Sequence, residues 1–201
     1  MRVRHLGFVA YEPTLRAMRD FTAARIADTP DQIWVLEHPP VYTLGLAGRA
    51  QHVLSPGVIP VVKTDRGGQV TYHGPGQAVA YVLLDLRRLG VGVKELVRRL
   101  EQAALDVLAE SGVKGTRREG MPGVYVNGAK IAAVGLRIAR GCSYHGLALN
   151  VDVDLEPFTH IDPCGYPGLA CTRLADQGVR DSISAVQQKL ADALSRCLTP
   201  T

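Results

Sequence analysis

Two residues of this 201-residue chain stand in surroundings that suit chemistry better than packing. Cys164 lies in Ile161-Asp162-Pro163-Cys164-Gly165-Tyr166, a stiff polar turn, whereas structural cysteines usually sit inside apolar strands or helices. A free thiol is only a few percent thiolate at neutral pH, so a nucleophilic cysteine needs an ammonium or a helix N-terminus beside it. Lysine is scarce: Lys63, Lys94, Lys114, Lys130 and Lys189 stand among 23 basic residues. Lys130 leads from Asn127-Gly128 directly into Ile131-Ala132-Ala133-Val134-Gly135, which reads as buried. It either snorkels from a strand end or is held at a site, where burial is expected to lower its pKa and suit it to proton transfer. A functionless exposed turn is the alternative for Cys164, and Cys142 and Cys171 are rival nucleophiles.

A third feature is Arg66-Gly67-Gly68-Gln69-Val70-Thr71-Tyr72-His73-Gly74-Pro75-Gly76-Gln77, with four glycines in twelve residues. Glycines admit close approach of a ligand to the backbone, or simply turn a hairpin between two strands. His73 either orients Cys164 or hydrogen-bonds within this stretch. His145 reads as structural, bonded to backbone beside Gly146.

These groups need a scaffold. Composition is globular, 46% apolar and 21% charged. The length suits one domain over residues 1–201. No long apolar run or signal-peptide core is present, so a cytoplasmic protein without membrane contact is expected. The four cysteines read as reduced thiols, and Cys142 with His145 lacks the second ligand pair that zinc requires, so no metal is expected. The net charge of +4 favours an acidic partner. Nucleic acid fits poorly, because aromatics are only 5% and no basic run occurs.

Residues 7–11 read as a strand, 13–27 as a helix with Leu15, Met18, Phe21 and Ile26 inward, and 32–38 and 41–45 as strands broken by Pro39-Pro40. A loop over 46–59 and a strand over 60–63 follow. Residues 78–86, apolar on both faces, predict a central strand. The clearest helix is 93–111, with Val93, Val97, Leu100, Ala104, Val107 and Leu108 inward and Glu95, Arg98, Arg99, Glu101, Gln102 and Glu110 outward. Strands are predicted over 113–118, 123–126, 130–139 and 143–153, the Asn127-Gly128 pair marking a hairpin. A last helix over 181–198 turns Ile183, Val186, Leu190, Leu194 and Cys197 inward. The class is α/β (α+β): mixed or antiparallel sheet with flanking helices.

The glycine-rich stretch resembles the signature of the lipoyl(octanoyl) transferases, the lipoate-protein ligase B family. Gly128-Ala129-Lys130-Ile131-Ala132 with Gly135-Leu136-Arg137, Gly141-Cys142-Ser143-Tyr144-His145-Gly146-Leu147-Ala148-Leu149-Asn150-Val151, and Asp162-Pro163-Cys164-Gly165-Tyr166 are similar to further family blocks in the same order. The resemblance implies the biotin and lipoate ligase fold and transfer of an octanoyl group from acyl carrier protein to a lysine of lipoyl domains. Those domains belong to 2-oxoacid dehydrogenase E2 subunits and the glycine cleavage H protein. It implies Cys164 as acyl acceptor, Lys130 as its partner, and substrate contacts at Arg66, Gly67, Gly68, Gln69, Val70, Thr71, Tyr72 and His73, at Ala133, Val134 and Gly135, and at Gly146, Leu147 and Ala148. No cofactor, ATP or metal is expected, and the chain is expected to act as a monomer. An ATP-dependent lipoate ligase, which would not need Cys164, is the nearest rival.

Overall fold

The computed structural model describes residues 1–199. Strands β1 (Arg2–Phe8), β2 (Gln32–Glu37), β6 (Gln77–Leu83), β7 (Val124–Val126), β8 (Ala129–Ala139) and β9 (Cys142–Asn150) form a six-stranded sheet in the order β1-β2-β6-β9-β8-β7. Only β1 and β2 pair in parallel; the rest is antiparallel. A smaller sheet holds β3 (Val41–Leu44) between β4 (Val61–Lys63) and β5 (Val70–His73). Four helices flank the sheets: α1 (Tyr11–Ala23), α2 (Leu86–Leu89), α3 (Val93–Glu110) and α4 (Ile183–Cys197). The mixed α/β architecture is the one expected.

β2, β6 and β9 are enclosed on both faces. One face carries α3 and α4 over a core that includes Val82, Leu100, Val107, Ile131, Leu149, Leu190 and Leu194. The other carries α1, whose Tyr11, Leu15 and Met18 pack on Trp34, Val79 and Tyr81. Each fully buried aliphatic or aromatic side chain contributes about 1.5–3 kcal/mol relative to exposure, so these layers fix the sheet before any polar contact is counted.

The glycine-rich stretch is not a hairpin. β5 pairs with β3 in the small sheet, β6 with β2 and β9 in the large one, and Gly74-Pro75-Gly76 carries the chain across. Gly76 has φ of 83°, and a Cβ there would lie 2.7 Å from the Asp152 carbonyl carbon, so only glycine fits the crossing. Pro39-Pro40 makes the corner as expected, moving the chain from β2 to β3.

Several boundaries differ. β1 begins at Arg2, because an exposed edge strand held by backbone pairing carries no apolar alternation. α1 stops at Ala23: Arg25 donates to the Leu83 carbonyl and pairs with Asp31, and Ile26 is carried outward, 73% exposed. Val93 is exposed at the start of α3, while Glu101 is buried, accepting from the Gly123 amide at 2.8 Å and pairing with Arg117 at 3.1 Å. Residues 113–118 form no strand; only Thr116 bridges to Tyr125. β9 ends at Asn150, since the amides of Val151 and Asp152 both turn to the Gly76 carbonyl. Among the described residues, no helix is long and apolar enough to cross a membrane.

Candidate active site

Lys130 enters the site from β8, opposite Tyr125 of β7. The hairpin between these strands turns through Asn127 and Gly128, both with left-handed φ (48° and 87°), as a tight two-residue turn requires. The Lys130 backbone is clamped on its other edge: its amide donates to Ala170 (2.8 Å), and its carbonyl accepts from Thr172 (2.9 Å). Gly123 leaves room for the side chain, since a Cβ there would come within 2.7 Å of Lys130 Cε.

Cys164 arrives from elsewhere, on the short 3-10 turn Pro163–Gly165. Its own φ is 58°, a left-handed conformation that a non-glycine residue holds only when its surroundings enforce it. Those surroundings are identifiable. Asp162 accepts from His52 Nδ1 at 2.9 Å and donates its amide to the His52 carbonyl, and Gly165 packs where a Cβ would meet Gln69 Cγ at 2.9 Å.

The two arrivals meet: Lys130 Nζ donates to Cys164 Sγ at 2.9 Å. Lys130 is 4% exposed, and its ammonium lies 5.4 Å from the centre of the Tyr125 ring. Burial works to lower its pKa, but the Cys164 sulfur, as charge and as hydrogen-bond acceptor, and then Tyr125 together outweigh burial, and the net shift is upward. The lowered pKa expected from burial alone is thus corrected by the partner. Arg66 supplies a second cation. It is fully enclosed, donates to the Thr43 carbonyl (2.6 Å), Thr43 Oγ1 and the Gly67 carbonyl, and has no carboxylate partner among the described residues.

A cleft opens from Cys164 between the two sheets. One wall is Arg66, Gly67, Gly68, Gln69, Val70, Thr71 and His73; the other is Ala133, Val134 and Gly135 with Gly146, Leu147 and Ala148; Tyr11, Val79 and Tyr81 complete it. Small residues on β8 and β9 create the space. A Cβ on Gly146 would lie 2.2 Å from the Ala80 carbonyl oxygen, so that strand contact depends on glycine too. Of the expected contact residues, Tyr72 alone falls outside the cleft. It points to the back of the small sheet, 2% exposed, against Tyr42 and Phe158, because alternation along β5 sends it opposite to Thr71 and His73.

The histidines resolve as follows. His73 makes no hydrogen bond to Cys164; its Nδ1 donates to Gln77 Oε1 at 2.7 Å, and burial pushes its pKa down to about 3. Gln77 Nε2 donates to Asn150 Oδ1, and Asn150 Nδ2 to the Thr172 carbonyl, the residue that clamps Lys130. His145 is bonded to the Asp65 carboxylate (3.0 Å) rather than to backbone. Its φ of 61° breaks the strand alternation, so Tyr144 and His145, although adjacent, both reach Asp65, as does Arg19 from α1. Cys142 lies with Arg87 and Arg140, apart from His145, and no cluster of metal-ligating side chains occurs among the described residues. Cys171 borders Cys164 in a smaller cavity, its thiol pushed up to about 12 by burial and then by the neighbouring sulfur, which disfavours the thiolate there.

Asp65, His38 and Asn150 were not singled out from sequence. An acid directly before the glycine-rich stretch, and an amide closing an otherwise apolar strand, are the signals that mark two of them.

The fold defines a class. The chain superposes on a bi-partite lipoate protein ligase from Thermoplasma acidophilum with a TM-score of 0.76 at 16% identity, covering 98% of this chain and 84% of that one. On a biotin protein ligase from Aquifex aeolicus the TM-score is 0.59 at 13% identity, covering 98% and 69%. This is the catalytic-domain fold that lipoate and biotin ligases share.

Sequence narrows the class. The family model of the lipoyl protein ligase A/B catalytic domain matches residues 11–195. Octanoyltransferases of Thiobacillus denitrificans and Aromatoleum aromaticum are 63% and 62% identical, each over 98% of this chain and over 90% and 86% of their own lengths. The chain belongs to the lipoyl(octanoyl) transferase family and is an acyltransferase of protein lipoylation.

Proposed function

We propose that the protein moves an octanoyl group from acyl carrier protein to a lysine of a lipoyl domain through a thioester on Cys164, with no nucleotide, metal or other cofactor. The observation that carries the reading is the 2.9 Å contact between a buried ammonium and a turn thiol at the mouth of a cleft lined by small and apolar residues. Thiolate Cys164 attacks the carrier thioester, forming one C–S bond as the other breaks, and the Lys130 ammonium gives its proton to the departing carrier thiol.

Acylation then changes Lys130. The sulfur charge that helped hold its pKa up is gone, and the balance moves toward burial, which favours the neutral amine. That amine takes a proton from the acceptor lysine as the amide forms and Cys164 leaves as thiolate, which restores the ion pair. Thioester exchange is nearly balanced, and amide formation drives the cycle. Arg66, with no carboxylate partner among the described residues, adds positive potential beside the thiolate.

The test is intact-mass analysis after incubation with octanoyl carrier protein without nucleotide. A single octanoyl adduct is expected on the wild type and none on Cys164→Ser. An unmodified wild type would overturn the reading in favour of nucleotide-dependent activation.

A further inference from the structure

An open groove, separate from the acyl cleft, borders the chain on either side of the catalytic pair, next to Lys130 at Ala129 and Ala170. Its sides are the turn that precedes Lys130, at Asn127 and Gly128, and the segment that follows Cys164, at Tyr166 and Leu169; Arg118 and Met121 stand at its head. Tyr166 is 41% exposed there. Nothing in the transfer chemistry above uses this groove.

Arg118 is its unusual member. It is exposed, yet its guanidinium carbon is seated 4.8 Å over the Tyr125 ring, and one of its nitrogens lies so close to Gly128 that a Cβ there would approach to 3.3 Å. Among the described residues its guanidinium forms no ion pair or hydrogen bond, and only its backbone carbonyl is used, accepting from the Met121 amide. Its neighbour Arg117 is neutralised by Glu101 (3.1 Å), and Glu119 makes no ion pair with either arginine. A pre-oriented guanidinium with its donors free is suited to a phosphate oxyanion.

The distance fits a specific ligand. Tyr125 links Arg118 to the reacting atoms: 4.8 Å from guanidinium carbon to ring centre, 5.4 Å from there to Lys130 Nζ, and 2.9 Å on to Cys164 Sγ. The guanidinium therefore lies within about 13 Å of the sulfur, the sum of those three spans. In a pantetheine arm, about thirteen bonds separate the thioester sulfur from the phosphodiester, roughly 15 Å at the extension of a peptide chain. An arm whose sulfur is at Cys164 thus brings its phosphate into contact range of Arg118.

We propose that Arg118 holds the phosphodiester of the acyl carrier's pantetheine arm, with the arm lying along Tyr166 and Leu169 toward Cys164. This rests on the carrier-dependent reading above and adds to it where the donor enters.

The experiment measures the acyl-loading half-reaction of wild type, Arg118→Gln and Arg118→Lys with two donors, octanoyl carrier protein and octanoyl-pantetheine, which lacks the phosphate. Arg118→Gln is expected to raise KM for octanoyl carrier protein roughly tenfold with kcat little changed, the loss of one charge-assisted contact. The effect on octanoyl-pantetheine should be several-fold smaller, and Arg118→Lys should recover part of the loss. Equal effects on both donors, no effect on either, or an effect confined to transfer from pre-loaded enzyme to a lipoyl domain would each overturn the assignment. Failure of the wild type to load from either donor would instead remove the transferase reading on which it stands.

Discussion

Lys130 Nζ and Cys164 Sγ are 2.9 Å apart although thirty-four residues separate them in the chain, and the Ala170 to Thr172 segment holds the Lys130 backbone at the site. The contact is an ion pair in waiting, and its first consequence is for thiol reactivity. Replacing Lys130 with Ala should slow iodoacetamide alkylation of Cys164 at pH 7 by roughly tenfold, because the thiolate loses its counter-charge. Stopped-flow or mass-resolved alkylation rates measure this. Equal rates in the two proteins would exclude Lys130 from stabilising the thiolate.

Cys171 provides an internal control. Its thiol is pushed up to about 12, so it stays protonated at any pH at which the protein is handled. Peptide mapping after brief alkylation at pH 8 should find Cys164 modified first and Cys171 unmodified. Modification of Cys171 ahead of Cys164 would contradict the arrangement of the two sulfurs.

His38 makes stability pH-dependent. It is fully buried, its Nδ1 donating to the Val9 carbonyl and its Nε2 accepting from Tyr81, and burial lowers its pKa to about 4. Between that value and the unfolded value near 6.5, the unfolded chain takes up a proton that the folded chain refuses. Stability must therefore fall as pH drops through this window, by on the order of 3 kcal/mol at its lower end. Urea midpoints at pH 7, 5.5 and 4.5 should decline in the wild type and decline less steeply in His38→Gln. Parallel slopes would mean that His38 protonates in the folded state without penalty.

Asp65 acts in the opposite range. Burial raises its pKa, but hydrogen bonds from His145, Tyr144 and Arg19 together outweigh burial and hold the carboxyl well below its usual range. Its contribution is present above the unfolded carboxylate value near 4 and is lost as pH falls below it. Asp65→Asn should cost about 2 kcal/mol at neutral pH, and the gap from wild type should narrow toward pH 3. Chemical unfolding at the two pH values measures it; a constant gap would assign the loss to packing.

Much of this was legible in the chain. Lys130 and Cys164 could be singled out because each residue type sits in surroundings that packing does not favour, and the glycine-rich stretch because so many glycines exceed what one turn needs. The central strand and the 93–111 helix followed from apolar patterning. What could not be read comes from tertiary partners. Tyr72 has the same neighbours in sequence as the cleft residues, and only the pairing of β5 with β3 decides which way it faces. Glu101 looks like an outward helix residue until the Gly123 amide and Arg117 arrive from another segment. The direction of the Lys130 shift likewise depends on a sulfur that sequence spacing cannot bring near.

The crossing at Gly74-Pro75-Gly76 leaves the acyl cleft bounded by two sheets rather than carved into one. Such a slot works as a caliper. The gap between its jaws depends on how the small sheet seats on Tyr42, Tyr72 and Ile161, side chains packed behind that jaw and outside the cleft lining. The length of chain accepted and the reactivity of the thiol are therefore inherited through separate parts of the molecule. A lineage can retune the first by repacking the back of one sheet while Lys130 and Cys164 stay untouched.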